Sequence, residues 1–295
     1  KKILIPIDFS PASLNSLNYA VMMAKRTNAE IMLLHVLENS YVSADPFFPI
    51  VAYTEIYESE LGKAINEKLL NIAEKIKSQG LSNVSILTVS GRAHKEIIRV
   101  RREASADIII MGTHGVSGFR EFVVGSNTYR VVSDALCPVL SIQKENHSDG
   151  FKNILVPFSD KPHSREKVMY AIKLAEIYGS NLNVLGVDST GTDSHTKKIM
   201  LEADQVKRIA EKHNLKCAAK TITAAYDASN VLEYAKEINA DLILAMGDST
   251  PQNLAEYFTG NFSQQIINHS SIPIISIHSA YNPNTIELWQ PYNVV

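Results

Sequence analysis

At 295 residues the chain is long enough for two domains. Its 45% hydrophobic and 20% charged residues are those of an ordinary soluble protein, and a net charge of -2 excludes a basic footprint for nucleic acid or a polybasic membrane patch. No apolar run approaches a membrane span, and two cysteines, Cys137 and Cys217, build neither a disulfide framework nor a CxxC metal pair, so the expected compartment is the cytoplasm.

The first stretch, Lys2-Ile-Leu-Ile-Pro6-Ile-Asp8-Phe-Ser10, reads as a strand running out into a turn. Ser10 and Pro11 make an N-cap and first-turn pair, and Leu14, Leu17, Ala20, Val21 and Ala24 recur behind them at helical spacing. Asn28, which tolerates a left-handed cap, is the predicted stop. A strand over 31–36, a long helix over 56–78, a strand over 84–89 and a helix over 94–105 follow. The apolar run 108–111 predicts a fourth strand. A helix from Asn127 then leads to a fifth strand over 139–142, entered through Pro138. His35 is expected to be a hydrogen-bonded core histidine, and Cys137 and Cys217 small core residues.

The same order then repeats. Asn153-Ile-Leu-Val-Pro157-Phe-Ser159-Asp-Lys161 matches the first stretch, with Tyr170 in the place of Tyr19. Val168, Ala171, Ile172 and Ala175 carry the next helix, which stops at Gly179. Strands over 182–187, 217–222, 242–246 and 274–277 alternate with helices over 196–213 and 228–239. Apolar, two-sided strands alternating with helices predict a parallel sheet covered on both faces. The polar stretch 144–150 is the linker, giving domains at 1–145 and 151–280 and a tail at 281–295. An insertion over 41–58, with Phe47 and Phe48, reads either as a surface loop or as a lid or interface. The tail, with Trp289 and Tyr292, either docks on its own fold or crosses to a partner.

Between the fourth strand and its helix lies Gly112-Thr-His-Gly115-Val-Ser-Gly118-Phe-Arg-Glu-Phe-Val-Val-Gly125-Ser126. Glycines bring the backbone close to a ligand and shape its N–H groups into a concavity. The helix start behind Ser126 adds a positive dipole end, which suits an anion such as phosphate. Turn-making alone is the competing account of these glycines, and it is the one kept for Gly118; His114 and Arg120 are read as facing solvent. Asp8 is left for a ligand because Ser10 already caps the helix.

The spacing Gly112-x2-Gly115-x9-Gly125-Ser126 stands with Pro6-Ile7-Asp8 ending the first strand and a proline-led fifth strand. Together they resemble the nucleotide-binding motif of the universal stress protein family. The likeness covers nearly the whole chain as a tandem pair. It implies an α/β fold of two tandem Rossmann-like, doubly wound domains, each a five-stranded parallel sheet of order 3-2-1-4-5 flanked by helices. Ligands of such sheets sit at the carboxyl ends of strands, where strand order reverses. The resemblance implies ATP there, with Mg2+ sharing the phosphate charge. Pro6, Ile7 and Asp8 would end at the site, with Asp8 toward the adenosine end. Backbone groups of Ile7 and Val36 would hold the adenine, and Met111 and Gly112 would lie against the ribose and first phosphate. Gly115, Gly125, Ser126 and Asn127 would cradle the phosphates. The resemblance also implies pairing through the fifth strands, an internal pseudo-dimer, and a homo-oligomer beyond it; neither nucleic acid nor membrane is an expected partner.

The second half departs from this pattern. Anchored on Gly247 and Gly260, Thr250 aligns with Gly115 and Asn261 with Ser126, while Ser159 takes the place of Asp8. Thr250 adds a Cβ and Pro251 removes an N–H where phosphate needs room and donors. The expectation is an ATP-binding stress-response or signalling protein with one nucleotide site, the second domain being structural or regulatory. A slow ATPase and a nucleotide-free interaction module are the alternatives. No GxxxxGK[ST] loop and no base beside the nucleotide can be read, so catalysis is not the expected main activity. None of the nine histidines forms an HxxxH pair, and no protein metal site is expected.

Overall fold

The computed structural model of the chain describes residues 1–38, 51–113, 125–143, 149–160, 164–247 and 262–278, with the backbone alone described for 51–59. The insertion up to residue 50, the glycine loop over 114–124, residues 144–148 of the linker and the tail lie outside the described residues.

The first half runs β1 (Lys2–Pro6), α1 (Pro11–Thr27), β2 (Glu30–Leu37), α2 (Val51–Lys77), β3 (Val84–Ser90), α3 (Ala93–Glu103), β4 (Ile108–Gly112), α4 (Ser126–Asp134) and β5 (Val139–Ile142). The second runs β6 (Asn153–Phe158), α5 (Val168–Tyr178), β7 (Asn181–Asp188), α6 (Asp193–Lys212), β8 (Cys217–Thr223), α7 (Ala228–Glu237), β9 (Leu242–Gly247), α8 (Phe262–His269) and β10 (Ile274–His278). The strands form one sheet of order β3-β2-β1-β4-β5-β10-β9-β6-β7-β8. Each half therefore has the expected parallel 3-2-1-4-5 order. At the centre β5 meets β10 antiparallel, Leu140 opposite Ile275, so each strand covers the other's edge.

Strand alternation builds two cores. Ile3 and Ile5 of β1 point into one layer, which runs on to hold Tyr19, Leu69, Ile172 and Ile199 from α1, α2, α5 and α6. Leu4 faces the other way, into a layer with Ile97, Val131, Val231 and Ile266 from α3, α4, α7 and α8. The predicted caps are in place. Ser10 Oγ accepts from Ser13 N at 3.2 Å, and Asn28 and Gly179 end their helices at φ 51° and 68°. Two expectations are corrected. Leu14 is exposed, because the first turn of α1 lies so close to the sheet that small residues, Ser13 and Ser16, take the inner face. Cys217 is only half-buried, because β8 is an edge strand.

Contacts repeated in both halves fix which residues correspond. Asp107 N donates to Lys2 O at 2.9 Å, and Asp241 N to Asn153 O at 3.0 Å. Ile109 N donates to Pro138 O, and Ile243 N to Pro273 O. Counting on from these pairs, Met246 stands where Gly112 stands, and β9 runs one residue further before its glycine. This corrects the alignment anchored on Gly247. That glycine has a different task, since a Cβ on it would come 3.2 Å from Val132 O of α4, across the junction of the halves.

Candidate functional site

Strand order reverses between β1 and β4, and a cavity of about 160 Å3 opens there at the carboxyl ends of the strands. Pro6, Ile7, Asp8, Val36, Met111, Gly112, Gly125, Ser126 and Asn127 all line it. Nine of the ten motif residues are thus gathered from four separate segments; the tenth, Gly115, lies outside the described residues. Ser13, Leu34, Ala93, Ile97 and Thr128 complete the described lining. None of those five carries a sequence signal that separates it from helix or core. The volume is below the roughly 300–1,000 Å3 of sites that bury a whole ligand, so the described residues would enclose only part of a nucleotide.

Backbone geometry gives the cavity its polar edges. Alternate residues of a parallel strand bond to opposite neighbours. Leu34 O accepts from Ile7 N of the β1 exit, whereas Leu37 O accepts from Gly91 N beyond β3. Val36 therefore turns its N–H and C=O toward β1, past the last paired residue of that strand, Pro6. Across the gap Thr113 N bonds to Ile142 O of β5, which turns the Gly112 N–H toward the cavity. The two strands that diverge here leave ladder groups facing one another.

The loop base is tied by Gly125 N to Thr113 O at 2.7 Å and by Thr128 Oγ1 to Gly112 O at 3.0 Å. No side chain caps α4 at Gly125, and the first bond into the helix comes from Tyr129 N. The N–H groups of Ser126, Asn127 and Thr128 thus have no acceptor inside the helix, and they stand at its positive end. His94 of α3 lies near Asn127, and its pKa lies below the ordinary imidazole value chiefly through burial and then the nearby Arg130.

Two expectations change here. Ile7 has no N–H to offer a base, since it donates to Leu34 O, and its C=O already accepts from His35 Nδ1 at 2.6 Å. Asp8 is not idle either: its Oδ1 accepts from Ser10 N at 3.0 Å and from Ser10 Oγ at 2.6 Å.

The corresponding crevice of the second half is built from different chemistry. Ser159 N bonds to Ser164 Oγ as Asp8 N bonds to Ser13 Oγ, which places Ser159 at the Asp8 position. By the same offset α5 should start near residue 162, yet its first helical residue is Val168. A Cβ on Gly112 would lie 2.6 Å from the Ala12 carbonyl carbon, and Met246 has that Cβ, so a helix start cannot settle so close. Lys167, fully buried, sends Nζ to Ser164 O at 2.7 Å, where Ser16 Oγ serves Ser13 O. Tyr226 stacks on Phe262 at 4.4 Å and reaches Pro157 O at 3.5 Å. Phe262 and Pro157 correspond to Asn127 and Pro6, so aromatic rings span what is open space in the first half.

Where β6 and β7 end and α6 begins, this half carries an ion bridge. Asp188, fully buried, accepts from Thr190 N and Oγ1, Gly191 N, Thr196 Oγ1 and His195 Nδ1, the last at 2.6 Å. His195 Nε2 lies 3.1 Å from Asp160 Oδ2, one residue past Ser159. The Thr196 hydroxyl above all, then Thr190 N–H and His195, holds the Asp188 carboxyl below the usual carboxylate range. The bond to Asp188, with Asp160 adding to it, raises the His195 pKa.

A raised imidazole pKa stabilises the fold below the ordinary value of about 6.5, and this contribution is lost as pH rises through the folded value. A depressed carboxyl pKa stabilises it above about 3.9 and is lost only as pH falls through the folded value. The bridge is therefore strongest between these limits. Thermal unfolding should show wild-type stability falling as pH climbs above about 6.5, a slope that His195→Gln removes. Parallel profiles for the two proteins would contradict the ion bridge.

The universal stress protein family model matches residues 1–143 and 150–278. Universal stress protein MJ0577 of Methanocaldococcus jannaschii is 31% identical over 157 residues, covering 50% of this chain and 96% of that protein. Universal stress protein YxiE of Bacillus subtilis is 29% identical over 145 residues, covering 48% and 98%. Among solved structures, a universal stress protein from Archaeoglobus fulgidus matches 94% of this chain and 96% of its own, with a TM-score of 0.76 at 20% identity. The single-domain relatives match half of the chain, and the Archaeoglobus structure matches its whole tandem fold.

Proposed function

Since the chain belongs to the universal stress protein family, we propose that it is an ATP-binding stress-response protein whose one nucleotide site is the first-half cavity. The observation that carries this reading is the convergence of nine motif residues from four segments on one cavity at the switch point. Val36 offers an N–H and a C=O side by side, the donor and acceptor that an adenine edge requires. Asp8 accepts from ribose hydroxyls, and the uncapped α4 start takes phosphate oxygens. Among the described residues no group of three or more metal-ligating side chains occurs, so Mg2+ would ride on the phosphates. The second domain supports the first through the β5–β10 junction, as the other half of an internal pseudo-dimer. Two free cysteines fit a reducing cytoplasm.

Titration of the full chain with ATP and Mg2+ should saturate at one nucleotide per chain. Asp8→Ala removes a charge-assisted bond worth about 1.5–3 kcal/mol, a loss of about ten- to a hundredfold in affinity. Failure of the wild-type chain to bind ATP would sink this reading, and two equivalent sites would sink the asymmetry.

A further inference from the structure

We infer that His35 and Phe9 are positioning residues for Asp8, a pair outside the ligand cavity that sets how the carboxylate is presented. The inference rests on the nucleotide site proposed above. Along β2, Leu34 and Val36 line the cavity, and His35 between them points to the opposite face. There His35 Nδ1 lies 2.6 Å from Ile7 O. A carbonyl oxygen only accepts, so Nδ1 carries the proton and the tautomer is fixed. The His35 ring also meets the Phe9 ring, centroids 5.1 Å apart, and the Lys68 ammonium of α2 sits 5.4 Å from the far end of the same cluster, over Phe9.

Phe9 is the residue that needs holding. Its φ of 63° is left-handed, a conformation that a bulky side chain keeps only when its surroundings impose it. This turn joins Asp8, whose N–H is on Ser13 Oγ, to Ser10, whose N–H and hydroxyl are both on Asp8 Oδ1. Asp8 therefore sits between the Ile7 carbonyl, pinned by His35, and the Phe9 turn, pinned by the His35 ring. Relaxation of either side rotates the carboxylate.

The second half gives an internal comparison. Register places Gly186 at the His35 position and Asp160 at the Phe9 position, next to Ser159 in place of Asp8. All three members are replaced together where the cavity is filled. A purely structural clasp of β1 to β2 would be needed in both halves, because both strand pairs are present.

The test is a double-mutant cycle read by ATP affinity on the full chain. His35→Leu is expected to weaken ATP about tenfold, and His35→Asn, which keeps a donor near Nδ1, to recover most of that loss. In an Asp8→Ala background His35→Leu should add almost nothing, because it acts through the carboxylate. Should His35→Leu fail to fold, Phe9→Gly carries the same cycle, since glycine accepts the left-handed turn without the ring. Unchanged affinity in His35→Leu, or equal losses with and without Asp8, overturns the positioning role while leaving the nucleotide site standing. Absence of ATP binding by the wild-type chain would instead remove the site itself.

Discussion

Gly112→Ala is expected to destabilise the protein by about 3 kcal/mol, at the upper end of ordinary overpacking, and to abolish ATP binding. The added Cβ would lie 2.6 Å from the Ala12 carbonyl carbon, 2.7 Å from its oxygen and 2.8 Å from its Cβ. Two of those three atoms belong to backbone in the first turn of α1, so no rotamer change relieves the clash. Either β4 or the start of α1 must move. Ser13 lies on that turn and Asp8 is held by it, so displacement disorders the Asp8 end of the cavity as it costs stability. The second half shows the outcome that evolution reached with a side chain in this place: beside Met246, α5 starts only at Val168. Thermal unfolding should place the variant about 6–12 °C below wild type, at 2–4 °C per kcal/mol for a protein of this size class, and ATP should no longer raise its midpoint. An unshifted midpoint would mean that the close approach at Gly112 is not needed.

Most of the architecture was legible because it follows from periodicity. Strands 108–111 and 139–142 and the caps at Asn28 and Gly179 are local features, and local features survive without knowledge of the fold. The errors lie where position is decided by something distant. Gly247 looks like the partner of Gly112 along the chain, but the Asp107 and Asp241 contacts, each over more than eighty residues of sequence, assign that place to Met246. The Ile7 N–H looks open to a ligand along the chain, yet it is bonded to Leu34 O one strand away, and the Ile7 carbonyl accepts from His35. The Tyr226–Phe262 stack and the Asp160–His195–Asp188 bridge involve ordinary residues at no recognisable spacing. Only the fold brings them together.

Phe151 is expected to govern whether the two halves behave as one. It stands just ahead of β6, is 1% exposed, and its ring lies between Tyr19 of α1 and Tyr178 of α5, at 6.3 Å and 5.1 Å. The hydroxyls of both tyrosines are buried without a hydrogen-bond partner among the described residues, and burial pushes the Tyr19 pKa up to about 12. This junction is thus apolar in character and depends on ring packing. Other described links join the halves too: three residue pairs between β5 and β10, Gln143 Nε2 to Asn268 O at 3.0 Å, and the close approach of Gly247 to Val132 of α4. Phe151→Ala should cost about 3–5 kcal/mol, as a large aromatic removed from a core does. Because the lost packing lies between the halves, unfolding should split from one transition into two. Saturating ATP should then raise only one of them, since a ligand stabilises the unit that binds it. Two transitions that both rise with ATP would place nucleotide in both halves. A single transition lowered as a whole would show that the central sheet alone suffices to join them.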